Sequence, residues 1–130
     1  MVEQDQRLRR VIQEDPTGEE LVNYAREVGQ KAADEDLGKT QIRNIYGTVK
    51  ALQTQGWEDK KTPRALQLLI PKLGYAATRQ QRLKALATIL TEAITYVKDR
   101  DAFKRFCDFF EAVVAFHYAA QEERKRGGRI

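Results

Sequence analysis

The sequence predicts an all-α protein, a single-domain bundle of about five helices. Three observations predict it. Apolar residues recur at helical spacing almost throughout the chain. No convincing five-residue apolar/polar alternation bounded by hairpin turn residues appears. Only three Pro and eight Gly interrupt 130 residues, so long helices have room. With 42% apolar residues, the chain has enough material for one core. Residues 16–123 are expected to form this domain, between a flexible N-terminal segment (1–15) and a basic flexible tail (124–130).

The first helix is expected from near Thr17 to about Asp36. Glu19 and Glu20 fall in its first turn, where the helix dipole favours acids, and Leu21, Val22, Ala25, Val28 and Ala32 supply its apolar residues. Asp34, Glu35 and Asp36 suit a C-terminus poorly for the same reason. The second helix, capped by Lys39 or Thr40, runs to about Gln55 before Gly56 stops it. Ile42, Ile45, Val49 and Leu52 share one arc, and Lys39, Arg43 and Lys50 lie on the roughly opposite side. Residues 57–61 read as a loop. Thr62-Pro63 then starts a third helix, hydroxyl cap followed by proline. Pro71 removes an amide donor, so a kink or two short helices are expected there. A fourth helix follows over about Gln81–Lys98, with Leu83, Leu86, Ala87, Leu90, Ile94 and Val97 as its core face.

The fifth helix, about Asp101–Glu123, has an unusually wide apolar face. Phe103, Phe106, Cys107, Phe110, Val113 and Val114 form a stripe, which Phe109 and Phe116 widen to half the circumference. A stripe of about 100° suffices for a surface helix. This helix is therefore central in the bundle or buried against a second subunit, and Phe109 and Phe116 are the candidate assembly contacts.

Catalytic chemistry finds little support. Cys107 sits in the aromatic stripe, where an apolar setting disfavours thiolate. His117 reads as a core or interface histidine on the same face. Ten residues separate the two, about 15 Å along a helix axis, too far for proton transfer. One Cys excludes an internal disulfide framework, and one His argues against most His-built metal sites. No phosphate-binding glycine loop appears, and no cofactor or metal is expected.

Charge is the remaining lead. The net charge is only +4, but it is unevenly placed. Residues 1–38 carry −5, residues 39–84 carry +8 and residues 85–130 carry +1. A charge run is usually a solvated face, yet such faces mix signs, and Glu58 and Asp59 are the only acids in the middle block. Its cations suit contacts to phosphate that do not read bases. No RNP-like strand motif or zinc-finger spacing points elsewhere.

Three blocks carry a family likeness: LGKTQIRNIYGTVKAL (37–52), LLIPKLGYAATR (68–79) and FCDFFEAVVAFHYA (106–119). Together, and in this order, they resemble the small helical subunit of the type III-A, or Csm, CRISPR effector complex. Two departures are Gly38-Lys39, where a more hydroxyl-rich start is usual, and Phe116-His117 in place of Ala-Tyr.

The resemblance implies a non-catalytic scaffold subunit, stacked in several copies beside backbone and large subunits along the guide RNA–target RNA duplex. Carried onto this chain, Arg43, Lys50, Lys72, Arg79 and Arg82 are the expected RNA-binding residues, with Lys39, Lys61 and Arg64 next. The alternatives are the small subunit of a type III-B complex, or a helical homodimer built for assembly with incidental basic charge. No run of 18 apolar residues and no signal-peptide start appears, so a cytoplasmic protein without membrane contact is expected.

Overall fold

The computed structural model describes residues 2–128. Among them are six α-helices, one 3₁₀ turn and no strand: α1 (Val2–Gln13), α2 (Glu19–Asp34), α3 (Lys39–Gln55), α4 (Lys61–Arg79), a 3₁₀ turn (Gln81–Leu83), α5 (Lys84–Thr95) and α6 (Arg100–Gly128). The all-α expectation holds, with one helix more than the five anticipated.

The wide apolar face of α6 is the axis of the bundle. Phe106, Phe109, Phe110 and Val113 are each 0% exposed. Three other parts of the chain each set an aromatic ring against it: Tyr24 of α2 lies 5.6 Å from Phe109, Tyr46 of α3 meets Phe110 edge-on at 5.4 Å, and Trp57 of the α3–α4 loop lies 5.7 Å from Phe103. Offset and edge-on aromatic pairs add to the energy of burial. Phe109, expected as an assembly contact, is thus a core residue of the protomer itself. Phe116 is half-buried, with the Arg26 guanidinium 5.0 Å from its ring centroid.

The α2–α6 pairing is the most extensive in the bundle. It requires Gly29, which is buried where the two backbones meet. A Cβ there would lie 2.7 Å from the Val113 carbonyl oxygen, 2.8 Å from the Phe116 Cβ and 2.9 Å from the His117 amide nitrogen.

Helix α1 is the extra element. The sequence reading places no helix before Thr17, because residues 1–15 are mostly polar. Its apolar residues are few but correctly spaced: Leu8, Val11 and Ile12 are all buried against the bundle. Helix α6 holds it at its C-terminal end, where the Arg105 guanidinium donates to the carbonyls of Ile12 and Gln13. The Gln13 amide in turn donates to the Tyr96 carbonyl at the end of α5.

The same device operates on α2. Asp36, at φ 61°, ends that helix in the left-handed conformation usually given to glycine. The Leu37 and Asp36 amides bond back to the Ala32 and Ala33 carbonyls. Arg124 donates to the Ala33 carbonyl and pairs with Asp34 and Asp36. This cation from α6 supplies what the acidic end of α2 lacks in sequence. It also explains why α6 continues past Glu123: residue 124, assigned to a flexible tail, makes specific bonds. Residues 129 and 130 lie outside the described part.

Other local expectations need correction. Neither Lys39 nor Thr40 caps α3, since Gly38 occupies that position without a side-chain bond. Thr62 does not cap α4; it is buried one residue inside it, and its hydroxyl accepts the Glu58 amide. Pro71 neither ends nor divides α4. Pro71 and Gln67 are both exposed, so the freed Gln67 carbonyl can face water, while Leu66, Leu69 and Leu73 hold the buried side. Val22, one of the apolar residues counted in the first helix, is 40% exposed.

Candidate nucleic-acid interface

Cations in the two halves of the chain are used differently. In the first third, three of the five are held by carboxylates: Arg7 pairs with Glu27 at 2.6 Å, Arg9 with Glu14 at 2.6 Å and Arg10 with Glu20 at 3.1 Å, while Arg26 and Lys31 have no such partner among the described residues. The hydrogen bond from Arg7 holds the Glu27 carboxyl below its usual range, and the same bond raises Arg7. In the basic middle block, among the described residues, only Lys39 and Lys61 have carboxylate partners, Glu122 at 3.1 Å and Glu58 at 3.9 Å. Arg43, Lys50, Arg64, Lys72, Arg79 and Arg82 are exposed and have no carboxylate partner among the described residues.

Most of these cations lie along α3 and α4. The groove between the two helices is lined by Thr40, Gln41, Asn44 and Ile45 from the start of α3 and by Tyr75, Ala76, Arg79 and Gln80 from the end of α4, with Leu83 beyond. The helices therefore run antiparallel. Lys39 and Arg43 share one end of the pair with Arg79, and Lys50 lies about two turns further along α3 from Arg43. Arg64, Lys72 and Arg79 occupy one exposed face of α4, together with Leu68 and Tyr75, which are 54% and 63% exposed. Lys61 and Arg64 stand at the far end, more than about 20 Å from Arg79 at 1.5 Å per residue. Arg82 is not part of this surface. It lines a different groove, between α2 and α5, with Tyr24, Glu27, Lys31 and Glu35.

Two tyrosines position the arginines. The Arg43 Nε donates to the Tyr118 hydroxyl at 3.3 Å, and the Lys39 ammonium lies 5.3 Å from the Tyr118 ring centroid, so α6 holds the start of α3. Arg79 donates to the Tyr75 hydroxyl at 3.2 Å. Tyr118 is a functional candidate that sequence reasoning missed. It lies 75 residues from Arg43, and no spacing rule links two positions that meet only in the folded bundle.

The buried titratable groups of α6 serve packing. Burial pushes the Cys107 thiol up to about 12, with Asp108 adding to the shift, so the nucleophilic thiolate is suppressed. His117 is 0% exposed, and its Nε2 donates to the Leu37 carbonyl at 2.6 Å, the same oxygen that accepts from the Gln121 amide. Its Nδ1 is buried without a partner. Burial lowers its pKa; the bond to Leu37 opposes this and nearby Lys39 adds to it. His117 is thus the core histidine that the sequence suggested, tying the α2–α3 link to α6. No helix among the described residues is long and apolar enough to cross a membrane.

Among protein families, the model of the Csm2 Type III-A family matches residues 15–123. No curated protein matches the chain, and neither does any solved structure.

Proposed function

The chain belongs to the Csm2 Type III-A family, the small subunit of a type III-A CRISPR complex, and from that premise we propose that it is a non-catalytic scaffold lining the guide RNA–target RNA duplex. One observation carries this reading: in a chain that pairs three of the five cations of its first third, Arg43, Lys50, Arg64, Lys72 and Arg79 along α3 and α4 are exposed and have no carboxylate partner among the described residues. Such cations are available to phosphate oxygens at little cost in broken ion pairs. Each phosphate they neutralise releases a counterion. Sequence is then read by base pairing, and the protein supplies positive charge along the backbone.

Arg43, Lys50, Lys72 and Arg79 are the principal contacts in this proposal, with Lys39 beside them and Lys61 and Arg64 at the far end of α4. Arg82 would contact RNA only by a separate approach, since it faces the α2–α5 groove. One subunit offers few contacts and binds weakly; repetition of the subunit along one RNA multiplies them by avidity. The paired, acidic first third is suited to facing neighbouring protein subunits rather than RNA. The family match favours type III-A over type III-B. The burial of Phe109 weakens the reading of the aromatic face as a homodimer interface.

The test replaces Arg43, Lys50, Lys72 and Arg79 together by Ala and measures affinity for single-stranded RNA at several salt concentrations. All four are exposed, so helicity should be retained. The slope of log affinity against log salt should shallow by about 0.7 for each phosphate that the variant no longer neutralises. An unchanged slope in a folded variant would place the RNA surface elsewhere.

A further inference from the structure

The α3–α4 groove holds more than charge. Three carboxamide residues line it, Gln41 and Asn44 from α3 and Gln80 just past α4, with the Gln41 side-chain oxygen turned back against Gly38 at the start of α3. None of the three side chains makes a hydrogen bond within the described protein. A free carboxamide offers two donors and one acceptor in a plane, the vocabulary of a nucleobase edge. At the rim stands Tyr75, 63% exposed, its hydroxyl held by Arg79. The Arg79 guanidinium carbon lies over the ring, 5.8 Å from its centroid, so the arginine steadies the ring from one side while the residue stays largely exposed. Ile45, Ala76 and Leu83 give the groove an apolar floor.

A surface built only to hold phosphates needs neither an exposed aromatic ring nor a set of unused amides. We propose that this groove receives an unstacked nucleobase of single-stranded RNA: the base stacks on Tyr75, its polar edge meets Gln41, Asn44 or Gln80, and Arg43 and Arg79 take the flanking phosphates. The inference rests on the RNA-binding reading above and adds a base-dependent contact to a surface otherwise read as sequence-independent. Several amides with rotatable ends suit any base, so the pocket favours an unpaired base over a paired one without selecting its identity.

The experiment compares two single-stranded oligoribonucleotides of equal phosphate count, one bearing bases and one abasic, titrated into the full-length chain at low salt. The expected result is about tenfold tighter binding of the base-bearing oligomer, the size of one base-on-aromatic stack. Tyr75→Ala should abolish that difference and Tyr75→Phe should keep it, both leaving the salt slope intact. Because Tyr75 is exposed, neither variant should unfold, which circular dichroism verifies. Equal affinity of the native chain for both oligomers, with a normal salt slope, overturns the base pocket and leaves the phosphate surface standing. No salt-dependent binding of either oligomer overturns both. If Tyr75→Ala keeps the tenfold preference but releases the chain from the assembled complex, the groove takes a protein neighbour and the proposal fails.

Discussion

At the scale of single residues, three positions in the α2–α6 contact carry separate predictions. Gly29 has no room for a side chain, because two of its three nearest neighbours are backbone atoms of α6 that cannot rotate away. Gly29→Ala gains about 1 kcal/mol of helix propensity but forces apart the most extensive helix pair, at about 1–3 kcal/mol or more. The clash should win, and urea denaturation should show net destabilisation. Cys107 should stay unreactive toward thiol reagents in the native state and react on unfolding, because burial pushes its thiol up to about 12. His117 gives a pH dependence of definite sign. Its pKa in the fold lies below the ordinary value of 6.5, so the unfolded chain binds the proton more readily. Stability from this group is complete above pH 6.5 and declines as pH falls through that value toward the folded-state pKa. Unfolding midpoints measured at pH 7 and pH 5 should therefore differ more in the native chain than in His117→Gln.

At the scale of elements, helices with strong apolar periodicity were legible, as was the Gly56 stop of α3, but the groups that cap most helix ends were not. The second, fourth and fifth expected helices lie where α3, α5 and α6 do, because Ile42, Leu90 and Phe106 repeat on a buried stripe whatever they pack against. Boundaries depend on partners. The Asp34–Asp36 turn is tolerated because Arg124 arrives from the other end of the chain. Replacing Arg124 by Ala should cost about 1 kcal/mol, the usual worth of a helix-ending hydrogen bond with modest surface ion pairs, read as a lower midpoint in thermal unfolding. Helix α1 was hidden for a related reason: with few apolar residues, it becomes a helix by burying Leu8, Val11 and Ile12 on the bundle and by its bonds from Arg105. Leu8→Ala should destabilise the whole protein by about 2–5 kcal/mol and should not merely loosen the N-terminal end. A wild-type midpoint would place α1 outside the cooperative unit.

At the scale of the whole molecule, the aromatic helix had two readings, and packing chose between them. Half a helix circumference of apolar side chains fits a central helix or a subunit interface equally well. The rings of Tyr24, Tyr46 and Trp57 cover the face from within the protomer, so Phe109→Ala should cost about 3–5 kcal/mol as a core truncation and leave the oligomeric state unchanged in analytical ultracentrifugation. The exposure of Arg43, Lys50, Lys72 and Arg79 without carboxylate partners was legible because the surrounding sequence lacks acids. Arg82 could not be separated from them, nor Tyr118 linked to Arg43 across 75 residues, whereas Tyr75 and Arg79, four apart on one helix, fall on one side by spacing alone. By itself the sequence determined the helical class, the apolar stripes, the basic middle block and the family likeness, all of them set by residue type and spacing within a helix or a short window. Tertiary structure decided which stripe becomes the core, which helix ends are capped and which cations remain free, because each depends on a partner brought close only by the bundle.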